Sequence, residues 1–386
     1  MVTNRNGVSR RNVLELAGGA LATASVSGLA TAKPDDTVEV NVGFSSERGR
    51  GAARERADEV VREFDSIDVV TIRTAKRAAT ALENNPNVRY VEENGTMEAL
   101  AETEPWGIDR VDADVAHANG ATGDGADVAI LDTGIDSDHP DLQANLGAGR
   151  AFVKCKGNPR MCRYDWDDDN DHGTHCAGIA DAVDNSEGVV GVSTQATLHA
   201  VKVLDKRGSG SFSDIAAGVE YVANQGWDVG SMSLGASSGS QALHDAIQYA
   251  VDEGVFLVAA AGNDGPCTDC VGYPAAYPEV VAVSSTDSSD ALSGFSSTGP
   301  EVDVAAPGTS IYSTIPGGYD TFSGTSMACP HVAGAAGQLM ADGATNSDAQ
   351  STLESSAEDV GLASNESGSG LLDVAAALGL DSSDDT

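Results

Sequence analysis

The sequence predicts an α/β chain: a mostly parallel sheet doubly wound by helices on both faces, preceded by a small α+β domain. Three observations carry this. Short apolar runs alternate with amphipathic segments from Val128 onward, the first hundred residues carry their own strand–helix alternation, and charge is distributed differently in the two parts. The apolar runs Val128–Leu131, Leu198–Leu204, Val229–Ser233, Val255–Ala260 and Val280–Ser284 are strand candidates. Between and after them, 172–182, 213–224, 240–252 and 325–341 have helical spacing. In 240–252, Leu243, Ile247, Ala250 and Val251 share one face, and Ser240 is placed to cap it. Uninterrupted apolar strands separated by helices imply a parallel sheet buried on both sides, with ligands at the carboxyl ends of its strands.

The small domain is expected within 33–101. Val38–Val42 alternates as a strand, and Ala53, Ala57, Val60, Val61 and Phe64 fall on one face of an expected helix over Ala52–Phe64. Asp68–Thr74 reads as a strand, Lys76–Asn84 as a helix and Val88–Glu92 as a last strand. Ahead of this domain, Ser9-Arg10-Arg11-Asn12-Val13-Leu14 places two arginines before the weakly apolar stretch Leu16–Ala30. Ala30-Thr31-Ala32 then offers a small-x-small cleavage site. The pattern reads as a twin-arginine signal peptide over 1–32, so a secreted protein is expected. The stretch is too short and too rich in Gly, Ser and Thr for a lasting membrane anchor.

The 386 residues include 44 Gly and are 41% hydrophobic, enough for a sizeable core and unlike a disordered chain. The charge is extreme: 22 Lys and Arg against 59 Asp and Glu, a net −37. Residues 1–101 hold 13 basic and 15 acidic residues, and the remainder holds 9 against 44. The acids are spread along 102–386, and only Asp381–Thr386 is tail-like. Such a surface repels nucleic acid and anionic membranes, so neither is an expected partner. It also repels itself unless salt screens it, the Debye length falling to about 3 Å at about 1 M. The composition therefore points to a salt-loving source of the haloarchaeal kind.

Six cysteines are present. Cys155/Cys162 and Cys267/Cys270 form local pairs that an exported protein could oxidise. No His stands beside them at zinc-finger spacing. Cys176 and Cys329 read as small packing residues.

Three motifs carry the chemistry. Asp132 ends the apolar run Val128–Leu131 within Leu131-Asp132-Thr133-Gly134-Ile135-Asp136, at the carboxyl end of a buried strand. Alone it would be an ordinary turn residue. His172 opens a helix in Asp171-His172-Gly173-Thr174-His175-Cys176-Ala177-Gly178, and imidazole moves protons near neutrality. The alternative for His172 and His175, three residues apart, is a metal pair, but no nearby acid completes a zinc-protease helix pattern, and His175 reads as structural. Ser326 lies in Phe322-Ser323-Gly324-Thr325-Ser326-Met327-Ala328-Cys329-Pro330-His331, at the start of a helix of small residues. Its alternative role is a plain N-cap. A nucleophile at a helix N-terminus meets positive potential, and its N–H can face a developing oxyanion.

The order Asp…His…Ser, with gaps of 40 and 154 residues, decides among these readings. The sequence from about Pro105 to Leu380 resembles the subtilisin-like serine proteases, and most closely the haloarchaeal halolysins. The resemblance implies a serine endopeptidase with Asp132, His172 and Ser326 as its triad. It implies Asn263, in Ala260-Ala261-Gly262-Asn263, as the oxyanion-hole side chain, which alone would read as a turn residue. It also implies two substrate edges, Gly208-Ser209-Gly210 and Ser233-Leu234-Gly235, that pair with an extended peptide. Ala260, Ala261, Gly262 and Gly272 would line a large apolar primary pocket, with Asp264 at its rim able to admit a basic residue. Structural calcium is implied at Glu102, Asp141, Val183, Asn185, Glu187 and Val189, all offering oxygen. The run Asp165–Asp171, with five Asp, reads equally as a second ion site or a solvated loop.

By the same resemblance, 33–101 is an inhibitory propeptide and 102–386 the peptidase domain. The implied protein is a self-processed zymogen, a monomer, cut near Leu100–Glu102. Its partners would be protein and peptide substrates and its own propeptide. A narrow processing protease that cuts after basic residues and an inactive peptide-binding scaffold are the competing readings. Intact Asp132, His172, Asn263 and Ser326 speak against the scaffold.

Overall fold

A computed structural model describes residues 37–64, 67–94, 102–157 and 161–382. The twin-arginine segment and its cleavage motif lie outside the described residues. The chain divides into two compact units, 1–98 and 99–386.

The first unit runs β1 (Thr37–Phe44), α1 (Glu47–Arg56), β2 (Glu59–Glu63), β3 (Val69–Ala75), α2 (Lys76–Glu83), β4 (Val88–Glu93). Its antiparallel sheet has the order β2-β3-β1-β4. Val40, Val42, Phe44, Ala53, Val70, Ile72, Ala79 and Leu82 form its core. The helix expected over Ala52–Phe64 is a correction: α1 starts earlier and ends at Arg56, and β2 follows. The pairing of β2 with β3 shifts register between Val60 and Arg62. That bulge breaks the two-residue alternation that would have announced a strand. Gly49 and Gly51, both inside α1, weaken the helical pattern at its start. Gly49 is required where it stands: a Cβ there would lie 2.1 Å from Asn87 O.

The second unit begins with α3 (Trp106–Arg110), α4 (Ala113–Ala118), β5 (Asp127–Asp132), β6 (Arg150–Ala151), α5 (His172–Asp181), β7 (Thr197–Lys202) and α6 (Phe212–Gln225). It continues with β8 (Val229–Met232), α7 (Gln241–Asp252), β9 (Phe256–Ala260), β10 (Val281–Thr286), β11 (Val302–Pro307) and the hairpin β12 (Ile311–Ile315) and β13 (Gly318–Phe322). The last elements are α8 (Thr325–Ala341), α9 (Asn346–Ser356), α10 (Ser364–Ser367) and α11 (Val374–Ala377). Seven parallel strands are ordered β11-β10-β9-β8-β5-β7-β6.

Strand alternation divides the interior into two cores. Val128 and Ile130 of β5 join Cys176 and Ala177 of α5 and Ala328, Val332 and Ala336 of α8. Ala129 and Leu131 join Val219 and Val222 of α6 and Leu243 and Ile247 of α7 on the other face. Both faces are covered, as continuous apolar strands require. Ser240 precedes α7 without a side-chain cap; its backbone N–H and C=O bond the Tyr277 hydroxyl instead. β5 is the pivot: β7 pairs on one side and β8 on the other. The crevice at the carboxyl ends of β5, β7 and β8 is therefore a topological switch point. No helix among the described residues is long and apolar enough to cross a membrane.

Candidate active site

β5 delivers Asp132 to that crevice fully buried. Its Oδ1 accepts the Thr133 N–H (2.7 Å) and bonds His172 Nδ1 (2.8 Å). A carboxylate only accepts, so Nδ1 carries a proton and, in the neutral imidazole, Nε2 is the acceptor. Burial opposes a charge on His172, but the Asp132 carboxylate outweighs it and the imidazole is held well above its ordinary value. The neighbouring Cys176 sulfur adds no charge, because burial pushes that thiol up and keeps it neutral.

His172 is aimed by the loop before it. Asp171 has φ 108°, a conformation that a non-glycine residue rarely adopts. Asp168 holds it there: Oδ1 accepts Asn170 N–H, Asp171 N–H and the Thr133 hydroxyl, and Oδ2 accepts Thr174 N–H and its hydroxyl. Asp167 accepts from Ser137 N–H and Tyr164 N–H, and Asp169 ion-pairs with Lys202 at 2.6 Å. Much of this acidic run thus bonds protein donors. His175 has the structural role read from the sequence: Nε2 bonds Ile311 O and Asp320 O, and the ring stacks on Phe322.

Ser326 sits in the first turn of α8. Pro330, four residues on, has no N–H, so the Ser326 carbonyl loses its helical donor. The Ser233 hydroxyl (2.7 Å) and the Cys176 thiol (3.4 Å) supply the missing bonds. Cys176 also lies 3.9 Å from His172 Nδ1, so one small buried side chain touches both the histidine and the serine segments. The Ser326 hydroxyl lies 3.4 Å from Ser233 O.

Asn263 is pinned by Thr325, whose N–H (2.9 Å) and hydroxyl (3.0 Å) donate to its Oδ1. That leaves Nδ2 as a donor close to the Ser326 nitrogen: the two lie 3.5 and 3.6 Å from where a Cβ on Gly324 would stand. Gly262 N–H donates to the Thr325 hydroxyl (3.2 Å), tying the two segments. Gly272 N–H donates to Ala261 O (2.9 Å), which brings Gly272 against the Ala260–Gly262 segment. Both expected substrate edges, Gly208–Gly210 and Ser233–Gly235, line one cleft of about 600 Å³ with His172. Sequence reading missed its apolar wall, which includes Leu204, Phe212, Ile215, Leu243 and Tyr273. Leu204 had a signal, standing at the end of an expected strand; Tyr273 had none.

Of the calcium candidates, Asp141, Asn185 and Glu102 are joined by side-chain bonds, and Val183 and Val189 meet Asp141 through their N–H groups. The buried Asp141 accepts from Asn185 Nδ2 (3.2 Å) and Val189 N–H (2.9 Å), and Val183 N–H donates to its carbonyl. Glu102 accepts Asn185 N–H (2.7 Å), and Thr103 N–H reaches Gly188 O. Burial, then Asp184 and Asp141, push the Glu102 carboxyl up. Glu102 and the buried Asp141, two acids that repel one another, are oxygen ligands of the kind a hard divalent cation takes. Asn185 would turn its amide to offer oxygen, since Oδ1 now accepts from Ser186 and Glu187 N–H. Both local cysteine pairs, Cys155–Cys162 and Cys267–Cys270, are disulfides, and Cys176 and Cys329 are free and buried.

A doubly wound parallel sheet with an Asp-paired His and a helix-start Ser beside a peptide-sized cleft defines an acyl-transfer hydrolase. The chain belongs to the subtilase family: the family's model matches residues 123–370. Residues 37–94 match the fervidolysin N-terminal prodomain, so a prodomain precedes the serine endopeptidase. The chain is 41% identical over 369 residues to subtilisin E of Bacillus subtilis (strain 168), covering 92% of this chain and 94% of that protein. It is 43% identical over 322 residues to an alkaline protease of Shouchella clausii, covering 83% and 81%. It is 45% identical over 282 residues to a subtilisin of Bacillus pumilus, covering 72% and 99%.

Proposed function

We propose that Asp132, His172 and Ser326 are the catalytic triad, and Asn263 the oxyanion donor, of a secreted, salt-adapted endopeptidase of broad specificity made as a self-processed zymogen. The observation that carries it is the 2.8 Å bond from His172 Nδ1 to a fully buried Asp132, which leaves Nε2 free to accept a proton at the mouth of the cleft.

Ser326 Oγ attacks the scissile carbonyl carbon while His172 Nε2 takes the hydroxyl proton. The carbonyl oxygen becomes an oxyanion between Asn263 Nδ2 and Ser326 N–H. The C–N bond then breaks as His172 returns the proton to the leaving amine. Water repeats the sequence on the acyl-enzyme: its proton goes to Nε2, its oxygen to the acyl carbon, and Ser326 is released. Asp132 orients the imidazole and balances its charge throughout. The edges Gly208–Gly210 and Ser233–Gly235 hold the substrate as an added strand. Small residues at 260–262 and Gly272 leave room for large apolar side chains, and Asp264 at the rim admits basic ones.

Structural calcium at Glu102, Asp141, Val183, Asn185, Glu187 and Val189 is part of the same reading. Bound there, it supplies charge balance and holds the loop; no chemical step uses it. Net −37 supports salt adaptation and the halolysin-like character. The arginine pair in 1–32 supports export by the twin-arginine route, and 33–101 serves as an intramolecular inhibitor of a monomeric enzyme without a membrane anchor.

Mass spectrometry of the full chain expressed in high salt, wild type beside Ser326→Ala, tests this. Loss of about the first hundred residues in the wild type alone, with activity falling on the order of a millionfold in the variant, is expected. Full proteolysis by Ser326→Ala would sink the triad assignment.

A further inference from the structure

Lys202 is the one fully buried lysine among the described residues, with a relative exposure of 0%. An ammonium removed from water is costly unless every proton is bonded and its charge is met. Here Nζ donates to Thr133 O, to Asp169 Oδ1 (2.6 Å) and to Leu204 O (3.1 Å), which uses all three protons. Asp169 is itself nearly buried, its side chain 3% exposed.

The three acceptors belong to three different parts of the site. Thr133 follows Asp132 at the end of β5, and Asp132 stands in register with Lys202. Asp169 lies three residues before His172, in the loop that carries the strained Asp171. Leu204 opens the segment that runs to Gly208–Gly210 and itself lines the cleft. Val203 and Leu204 N–H both donate to Asp132 O, so Leu204 is already hooked to the acid from the other side. Asp169 Oδ2 also accepts Lys156 N–H (2.6 Å), inside the loop closed by Cys155–Cys162.

We propose that Lys202 is a positioning residue for the proteolytic reaction. Its ammonium, balanced by Asp169, fixes the strand end bearing Asp132, the loop bearing His172 and the substrate edge at Leu204 relative to one another. The inference rests on the triad reading above. The sequence pattern hides it, because a lone Lys ending an apolar strand reads as a surface residue.

The titratable groups in contact with or acting on His172 are Asp132 from β5 and Cys176 and His175 from α5; Asp168, Asp169 and Asp171 stand on the loop that precedes it, and Lys202 at the end of β7. Removing one member of the Lys202–Asp169 pair leaves the other's charge exposed to this set. Lys202→Met leaves an extra negative charge, which favours the imidazolium and moves the acid limb of the kcat/KM profile to higher pH. Asp169→Asn leaves an extra positive charge and moves it to lower pH. A unit charge at an intermediate effective dielectric gives shifts of roughly half a unit or more. The double variant returns the limb towards the wild-type position while kcat stays low, because the bonds to Thr133 O and Leu204 O are gone. A misplacement of this kind costs about ten- to a hundredfold in kcat.

The experiment is the pH dependence of kcat and KM for the full-length-derived enzyme and the three variants on one peptide substrate at one salt concentration, with Ser326→Ala alongside. Opposite limb shifts in the two single variants, with reduced kcat in Lys202→Met, are expected. Unshifted limbs, or a Lys202→Met enzyme within about twofold of wild type in kcat, overturn the proposal and leave the triad intact. If Lys202→Met does not fold, Asp169→Asn, which keeps the ammonium and its two backbone bonds, decides by its limb alone. Activity in Ser326→Ala would overturn the triad reading instead.

Discussion

At the residue scale, geometry separates side chains of similar composition into different work. Asn263 has its Oδ1 engaged by Thr325, which leaves its Nδ2 as the donor the oxyanion proposal uses. Asn263→Ala is expected to lower kcat about 10²–10³-fold with little change in KM, measured by steady-state kinetics on a peptide. A parallel rise in KM would instead mark a binding role. Burial pushes both free thiols up, Cys329 to about 12. Neither supplies thiolate at neutral pH, so iodoacetamide at about pH 8 is expected to leave activity in place while a serine-directed acylating agent abolishes it. His331 is buried and held down to about 4 by burial, against the lift from Met327 O. Its folded value lies below its unfolded one, so the stability it contributes is present above about 6.5 and lost as pH falls towards about 4. Asp303, raised to about 6 by burial, works in the opposite direction over the same window. His331→Gln is therefore expected to gain roughly 3 kcal/mol relative to wild type between about pH 7 and pH 4. Urea unfolding in a Ser326→Ala background measures it, and parallel stability curves would contradict it.

At the element scale, the packing of α8 explains why a helix of small residues follows Ser326. Gly334 rests on α5: a Cβ there would lie 2.6 Å from Ala180 O and 2.7 Å from Val192 Cβ. The first of these is backbone and cannot rotate away. Gly334→Ala is expected to cost about 1–3 kcal/mol and lower Tm by several degrees in calorimetry, without changing KM where the enzyme remains folded. Helices α5 to α8 and the strands of the sheet core were legible from apolar spacing, because a strand buried on both faces and an amphipathic helix each leave a periodic record. β2 was not, because a bulge at Val61 interrupts its period. β11 and the β12–β13 hairpin were missed in a stretch where Gly, Pro, Ser and Thr interrupt the apolar pattern. The capping role given to Ser240 also failed. Its backbone met the Tyr277 hydroxyl, a partner 37 residues away that no local rule reveals.

At the scale of the molecule, the acidic composition bears on the proposed salt adaptation rather than on the reaction. With 44 acidic and 9 basic residues beyond residue 101, self-repulsion is strong wherever the Debye length exceeds the spacing of neighbouring charges. Transfer from about 3 M to about 0.1 M KCl is expected to lower the Tm of the Ser326→Ala protein by well over 10 °C. Circular dichroism measures this, and a Tm independent of salt would remove the case for salt adaptation. Added calcium is expected to recover part of the loss, and Asp141→Asn to abolish that recovery.

The sequence by itself determined the class of chemistry. Asp132, His172 and Ser326 stand in long local motifs, and local motifs survive reading without a fold. It also determined the parallel sheet, because burial on two faces writes itself into composition. Only the tertiary structure decided which groups meet. Pro330 frees a carbonyl that Ser233 and Cys176 then bind. Asp168 holds the Asp171 turn, and Lys202 joins three chain segments through one ammonium. These are contacts between distant residues, set by where strands end in space, and hydrophobic periodicity carries no trace of them.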